Sequence, residues 1–319
     1  MPRRSQVFVG FQCHQGCAFC YYRSKCGEPM FGREKVIRQI DVELSYGIRD
    51  FEITGGEPSE CRDLRFYCEY IKEKSPHSRI AIITNGGLCN SDVWDVIDEV
   101  LISYHSGRDP VDKAVFPHGS TFDKVLKTAE TARKHGVLLR TNTVAASFNL
   151  EKLDGITDDI ASYIKPDIVN FLPVNLFDES GKYGMRRYID YGGLRPVLKN
   201  SVDVLRNRLP ETLVFIRYMP YCGMAGYEKH LVGTMQHAYD WFDWNIELSG
   251  TNLLQLMDKY PADGELLSEI RRRGAARFRN AIADRNFFYE KSNACLKCRY
   301  FIICDGMEKT PEHNLLKFA

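Results

Sequence analysis

Apolar, strand-like segments alternate with segments of helical periodicity along most of the chain. The strand-like segments occupy residues 6–11, 51–54, 80–84, 100–104, 137–144, 168–174 and 213–218. Apolar residues at helical spacing occur around 36–44, 64–71, 93–97, 122–132, 153–164 and 194–209. Such alternation predicts a parallel sheet with helical crossovers. We expect an α/β fold: a partial (β/α)6-type TIM barrel over residues 1–218 and a small cysteine-rich domain over residues 219–319.

Composition excludes several classes of protein. The 319 residues carry a formal net charge of +1, so no global electrostatic field favours nucleic acid or an anionic membrane as a partner. No apolar run approaches the ~20 residues of a membrane span, and the N-terminus shows no apolar signal segment. Eleven cysteines, several in close pairs, are more typical of metal binding than of a secreted disulfide scaffold. We therefore expect a cytoplasmic protein whose cysteines hold metal.

Three cysteines follow the first predicted strand at spacings of four and three residues: Cys13, Cys17 and Cys20. In a β/α barrel, the loops after the strands form the face that carries the chemistry. Three thiolates on one such loop can hold three irons of a four-iron cubane and leave the fourth iron open to a small chelating ligand. Zinc is the alternative, although a zinc site normally has a second ligand pair close by.

Two glycines and a glutamate follow the second predicted strand, within the sequence Gly55–Pro58. The glycines allow a ligand to approach the backbone closely, and Glu57 can accept hydrogen bonds from an ammonium group. The CxxxCxxC spacing followed by GGEP resembles the radical S-adenosylmethionine (SAM) superfamily, and the resemblance covers roughly residues 5–220.

The resemblance implies a [4Fe-4S] cluster on the three cysteines, with the amine and carboxylate of SAM on the open iron. It also implies a set of SAM-binding residues at the strand ends. These are Phe19, Tyr21, Gly55, Gly56, Glu57, Thr84, Asn85, Ser103, His105, Asn142 and Val174. Polar residues at strand ends can also simply cap turns, and Val174 can instead belong to the core.

The chemistry implied by the resemblance is reductive cleavage of SAM to a 5'-deoxyadenosyl radical, which abstracts hydrogen from a substrate. A flavodoxin- or ferredoxin-type donor would supply the electron. We expect a small polar substrate of the sugar, aminoglycoside or nucleoside type, which is oxidised, epimerised or rearranged. Two alternatives stay open: a radical SAM enzyme that modifies peptides, and a non-enzymatic zinc or iron–sulfur binding protein.

The last third of the chain contains four further cysteines. Cys222 follows the last predicted barrel strand, and Cys295, Cys298 and Cys304 form a CxxC-x5-C pattern. Four thiolates can complete the coordination of a second, auxiliary [4Fe-4S] cluster. The pattern is similar to the SPASM domain in its shortened "Twitch" form, except that the usual early cysteine pair is replaced by Cys222 alone. Without Cys222 the cluster would keep an open iron, and a zinc site is the other alternative.

The remaining cysteines are Cys26, Cys61, Cys68 and Cys89. Cys68 lies on a predicted helix and is expected in the core. Cys61 and Cys89 follow strand-end loops, where a thiol can donate hydrogen to a product radical. The sequence predicts no role for Cys26.

Overall fold

The structure is a computed structural model that describes residues 4–20, 22–108, 113–173, 191–232, 252–275 and 289–308. Eight of its strands form one sheet, in which each strand pairs in parallel with the next along the chain. They are β1 (Arg4–Phe8), β2 (Asp50–Thr54), β3 (Arg79–Thr84), β4 (Glu99–Ser103), β5 (Leu138–Ala145), β6 (Ile168–Pro173), β7 (Leu213–Arg217) and β8 (Leu231–Val232). The predicted α/β fold is confirmed, with eight described strands where six β/α units were expected.

The helices lie mostly in the connections between these strands. They are α1 (Arg33–Tyr46), α2 (Leu64–Lys74), α3 (Phe122–Lys134), α4 (Leu153–Asp159), α5 (Tyr191–Arg208), α6 (Asn252–Lys259) and α7 (Asp263–Ala275). Helix α1 shows how they end: Gly47 adopts φ 99°, and its N–H donates to the carbonyls of Glu43 and Leu44. The chain is thereby turned back toward β2.

The two faces of the sheet have different environments. Alternate residues such as Val7, Ile53 and Ile102 are fully buried in the main hydrophobic core with the helices. On the opposite face, Arg4 pairs with Glu99 at 3.0 Å. Polar side chains therefore fill the barrel interior near the N-terminal ends of the strands. A site can form at the C-terminal ends, where this ion pair does not reach.

Two predicted helices differ from the structure. Residues 93–97 do not form a helix, and the 3-10 turn Gly87–Asn90 lies earlier in the same connection. The rest of this connection forms a turn, in which the N–H of Val96 donates to the carbonyl of Val93. The predicted helix at 153–164 is α4 followed by a π-helical segment, Ile160–Ile164. Apolar spacing alone does not distinguish these conformations from a regular α-helix.

The C-terminal part of the chain packs onto the barrel. The guanidinium of Arg38 on α1 donates to the carbonyls of Met257, Tyr260 and Pro261 and pairs with Asp263. A short antiparallel pair, β9 (Tyr289–Glu290) and β10 (Met307–Glu308), follows. Strand β8 belongs to the barrel sheet although it lies after residue 218. None of the described helices is long and apolar enough to cross a membrane.

Candidate active site

The three N-terminal cysteines lie on one loop above the sheet, residues 12–20, here called the cysteine loop. Backbone hydrogen bonds hold both of its ends: the N–H of Cys13 donates to the carbonyl of Cys26 (3.2 Å), and that of Ala18 to the carbonyl of Val115 (2.9 Å). Within the loop, the N–H of Cys20 donates to the carbonyl of Cys17 at 3.0 Å. These bonds fix the cysteine loop without any contribution from the thiols.

The glycine pair after β2 seats the cysteine loop. The N–H of Gly56 donates to the carbonyl of Gly10, and the N–H of Glu57 to that of Gln12, both at 2.8 Å. A Cβ atom at Gly56 would lie 1.9 Å from the Gln12 carbonyl oxygen, and one at Gly55 would lie 2.2 Å from that of Gly10. The sequence predicted that these glycines let a ligand approach the backbone. In the structure they first let the backbone of Gly10 and Gln12 approach the end of β2.

The carboxylate of Glu57 connects the ends of two strands. One oxygen accepts hydrogen bonds from the Thr84 hydroxyl (2.7 Å) and the Ser59 N–H (3.1 Å), and the other accepts from the Asn85 N–H (2.7 Å). Burial raises the pKa of Glu57, and these bonds oppose that rise by favouring the charged form. Glu57 thus fixes the loop after β3 relative to the loop after β2.

A pocket opens between the cysteine loop and the C-terminal ends of the strands. Ten predicted site residues line it: Cys13, Cys17, Phe19, Cys20, Gly56, Glu57, Thr84, Asn85, Ser103 and His105. Its lining also includes five residues that the sequence did not single out, namely Gln15, Ile83, Ser106, Phe116 and Thr121. The side-chain amide of Asn85 approaches the Cys13 sulfur at 3.9 Å.

The other predicted site residues have different positions. Gly55 is not part of the pocket lining and packs on Gly10. Asn142 does not line the pocket either, but on β5 it is the register partner of Ser103. Tyr21 and Val174 lie outside the described residues.

Aromatic rings form one wall of the pocket. Phe19 stacks on Phe148 with a centroid distance of 4.8 Å and meets the edges of Phe116 and His105 at 5.7 and 5.1 Å. Burial lowers the pKa of His105 to about 4, so the ring is neutral at pH 7. Its Nδ1 accepts from the Val144 N–H at 3.0 Å, which leaves the ring proton on Nε2.

The thiols of the cysteine loop resist ionisation in the absence of a cation. Burial raises the pKa of Cys13, and burial together with repulsion from Cys13 raises the pKa of Cys17 to about 12. The Cys20 thiol is hydrogen-bonded to Cys26, which raises the pKa of Cys20 and lowers that of Cys26 to about 7. Because a metal deprotonates the thiols that coordinate it, this donor set fits a positively charged metal group.

Comparison with known protein families agrees with this geometry. Residues 7–160, which contain the end of β1, the cysteine loop and strands β2 to β5, match the family model of the Radical SAM superfamily. Residues 7–160 therefore form a radical SAM domain. This match supports an enzyme over the non-enzymatic metal-binding protein considered from the sequence.

Curated relatives match the chain over part of its length. A probable GTP 3',8-cyclase of Sulfurisphaera tokodaii is 29% identical over 160 residues, which are 47% of this chain and 50% of that protein. The GTP 3',8-cyclase of Campylobacter curvus is 25% identical over 193 residues, which are 58% of this chain and 54% of that protein. The chain thus spans about half the length of the curated relatives it matches.

Solved structures of radical SAM enzymes share the fold. The match to anSMEcpe with bound AdoMet and the Cp18Cys peptide has a TM-score of 0.57 and 15% identity, and covers 96% of this chain and 89% of that one. The match to SuiB of Streptococcus suis with bound S-adenosylmethionine has a TM-score of 0.54 and 16% identity, and covers 96% and 73%. At these identities the likeness concerns the fold alone.

Cys222 lies within electrostatic range of the other three C-terminal cysteines. Cys222 lies in the 3-10 turn Tyr221–Met224, and its pKa is raised by partial burial and then by nearby Cys304, Cys295 and Cys298. Tyr221 stacks on Tyr300 at 4.6 Å, which joins the two segments that carry these cysteines. In the described part of the chain, no three His, Cys, Asp or Glu side chains are close enough to hold a single metal ion.

A second cavity of about 600 Å³ adjoins the cysteine loop on the side of α3. Gln15, Glu57 and Asn85 line both cavities. Its rim carries the exposed basic or imidazole side chains of His14, His118, Lys124 and Lys127, and we call this surface the basic groove. His14 contacts Glu60 at 2.7 Å.

Proposed function

We propose that Cys13, Cys17 and Cys20 hold a [4Fe-4S] cluster and that SAM binds in the adjoining pocket. The observation that carries this proposal is the convergence of the three thiols with Gly56 and Glu57 in one pocket at the C-terminal ends of the strands. Bound there, the cluster and SAM supply the 5'-deoxyadenosyl radical that abstracts hydrogen from a substrate.

The residues of the chain position and shield these groups. Glu57 fixes Asn85 beside the Cys13 sulfur. The neutral His105 ring offers an Nε2–H donor, and the packed ring of Phe19 keeps water from that side of the pocket. The proposed SAM contacts are Phe19, Tyr21, Gly55, Gly56, Glu57, Thr84, Asn85, Ser103, His105, Asn142 and Val174.

The C-terminal residues 219–319 are proposed to form a SPASM/Twitch-like domain beside a radical SAM domain of residues 1–218. The proximity of Cys222 to Cys295, Cys298 and Cys304 supports an auxiliary [4Fe-4S] cluster with four thiolate ligands. With its coordination complete, this cluster would transfer electrons during the reaction and would not bind substrate directly.

The electron donor is proposed to be an acidic flavodoxin- or ferredoxin-type protein that docks on the basic groove. Lys124 and Lys127 offer the charge that would attract such a partner. The groove reaches Asn85, which contacts Cys13, so a donor bound there lies beside the cysteine loop. All eleven cysteines are free thiols, which fits the reducing, cytoplasmic setting we propose.

The substrate is proposed to be small and polar, of the sugar, aminoglycoside or nucleoside type, and its reaction an oxidation, epimerisation or rearrangement. The nucleoside type is favoured because the curated relatives are named GTP 3',8-cyclases. A peptide is the second candidate, because SuiB, with the same fold, was solved with a precursor peptide.

Deuterium transfer tests the substrate class. Anaerobic enzyme with both clusters is incubated with SAM, a reductant and either GTP deuterated on the ribose or a deuterated peptide panel. A nucleoside-type substrate predicts deuterium in 5'-deoxyadenosine with GTP or another nucleotide. Transfer from peptides alone would contradict the small-molecule proposal.

A further inference from the structure

Two asparagines on neighbouring strands lie opposite each other in the sheet: Asn142 on β5 and Asn170 on β6 are register partners. Ser103 on β4 is in turn the register partner of Asn142. Side chains in one such row of a parallel sheet point to the same face, and neighbouring strands lie about 4.8 Å apart. Ser103, Asn142 and Asn170 thus form a continuous polar row, which we call the amide row.

The amide row faces the interior of the barrel. Val169 and Phe171, which flank Asn170 in β6, are fully buried in the main core between the sheet and the helices. Because successive side chains of a strand point to opposite faces, Asn170 points into the barrel. Ser103, at one end of the row, lines the pocket beside the cysteine loop, and Asn142 is half-buried. The row therefore leads from this pocket across the barrel, away from the strands that carry the cysteine loop.

The amide of Asn170 is buried without a hydrogen-bond partner. Asn170 is 1% exposed, and neither its side-chain oxygen nor its nitrogen has a partner among the residues that the structure describes. Asn149, at 2% exposure, shows how the same fold satisfies a buried amide. Its nitrogen donates to the carbonyls of His105 and Val144, and its oxygen accepts from the N–H of Ala146. An unpaired buried amide reduces stability, so Asn170 calls for a role outside the packing of the chain.

We propose that Asn170 is a substrate-binding residue, which pairs with the edge of a nucleobase in a nucleoside-type substrate. An asparagine amide presents a donor and an acceptor side by side, and this pair matches the adjacent acceptor and donor atoms of a base edge. The inference rests on the proposed function, which favours a nucleoside-type substrate, and it deepens that function by naming a contact on the substrate.

The position of the amide row suits a substrate that lies next to SAM. SAM is proposed to bind at the cysteine loop and to contact Ser103 and Asn142, so the end of the row at Asn170 is left for the substrate. A base held there keeps its ribose close to the radical formed from SAM. The Asn170 side chain turns toward the half-buried Asn142 when the base binds, because the pocket is open on that side.

Thermal unfolding of the ligand-free chain tests whether the Asn170 amide is unpaired. Leucine has the branched shape of asparagine and no polar atoms. Asn149→Leu, the matched control, should lower the unfolding temperature by at least about 3 °C, because it leaves three backbone groups without partners. Asn170→Leu should unfold at or above the wild-type temperature, since it removes an unpaired polar group. An equal drop in both variants, or failure of Asn170→Leu to fold, would indicate a structural amide and overturn the proposal.

Equilibrium dialysis tests the ligand. The full-length protein is reconstituted anaerobically, given SAM without a reductant, and dialysed against GTP, ATP, CTP or UTP. Wild type should bind one of these nucleotides at least ~10-fold more tightly than the others. Asn170→Ala should lose at least ~10-fold in affinity for that nucleotide, together with the preference. Asn200→Ala, which truncates an exposed asparagine on α5, should bind as wild type does.

Dialysis of SAM with the same variants separates the two sources of a base, because SAM itself carries an adenine. If Asn170→Ala weakens SAM binding and leaves nucleotide binding unchanged, the residue contacts SAM and the substrate assignment is overturned. Unchanged affinity for both ligands, or no nucleotide binding by wild type, would also overturn it. The iron content of wild type and its formation of 5'-deoxyadenosine report separately on the proposed function. If these fail while the nucleotide preference depends on Asn170, the base-binding subsite stands without the radical chemistry.

Discussion

The backbone N–H of Glu57 donates to the carbonyl of Gln12 across 2.8 Å, so the loop that carries the cysteines rests directly on the end of β2. The CxxxCxxC and GGEP sequences are therefore two sides of one contact. A change in the glycine pair is expected to act first on the cysteine loop.

Gly56→Ala should reduce cluster loading. The added Cβ would lie 1.9 Å from the Gln12 carbonyl oxygen, and a backbone atom cannot move aside without shifting the cysteine loop. We expect a loss of about 1–3 kcal/mol in the free energy of unfolding and a lower iron content after reconstitution. Gly27→Ala, where a Cβ meets nothing within 4 Å, is the matched control. If Gly56→Ala kept its full iron content and only bound SAM more weakly, the glycine pair would be needed for SAM binding and not for the position of the cysteine loop.

His105 should make the enzyme less stable at mildly acidic pH. Its pKa is lowered to about 4 by burial, so the unfolded chain binds a proton near its ordinary pKa of 6.5 while the folded chain does not. This contribution to stability is present above pH 6.5 and is lost as pH falls toward 4, by about 1.4 kcal/mol at pH 5.5. Denaturant titrations at pH 7.5 and 5.5 should show this extra loss in wild type and in the exposed-site control His77→Asn, and not in His105→Asn. An equal pH effect in all three proteins would contradict the assignment.

The sequence predicted the parts of the site that depend on single loops. The CxxxCxxC spacing and the strand before it place Cys13, Cys17 and Cys20 at the C-terminal edge of the sheet, and the pocket lining agrees. The sequence alone could not predict contacts between segments that are distant along the chain. Phe116 and Phe148 pack on Phe19 only because loops after β4 and β5 reach the cysteine loop.

Local patterns were also ambiguous where two conformations share the same apolar spacing. Val93 and Trp94 are buried as a helix would require, but they lie in turns. The hydrogen bond from the N–H of Cys13 to the carbonyl of Cys26 could not be predicted either, because it depends on the path of the 3-10 turn Arg23–Lys25.

The auxiliary site should survive loss of the first cluster. A Cys13→Ala/Cys17→Ala/Cys20→Ala variant should bind about four irons on reconstitution, because the four C-terminal thiols form a separate site. Adding Cys222→Ala should lower that iron content, whereas adding Cys89→Ala should leave it unchanged. Retention of four irons without Cys222 would favour a cluster with three thiolate ligands and an open iron.

The basic groove should control reduction by a protein donor. Lys124→Glu places a negative charge where an acidic flavodoxin is proposed to dock, and we expect flavodoxin-dependent SAM cleavage to fall about fivefold at low salt. Activity with dithionite, which needs no docking surface, should not change. Lys134→Glu, an equally exposed change at the other end of α3, is the matched control. Equal losses in the two variants would place the donor elsewhere.

Reductive cleavage of SAM by wild type and Cys17→Ala tests the central claim most directly. Both proteins are reconstituted anaerobically and given SAM and dithionite, and 5'-deoxyadenosine is measured by mass spectrometry. Wild type should form 5'-deoxyadenosine and methionine, and Cys17→Ala should form none while unfolding at the same temperature, because the cysteine loop is held by backbone hydrogen bonds. Formation of 5'-deoxyadenosine by Cys17→Ala at the wild-type rate, or none by iron-loaded wild type, would contradict the account.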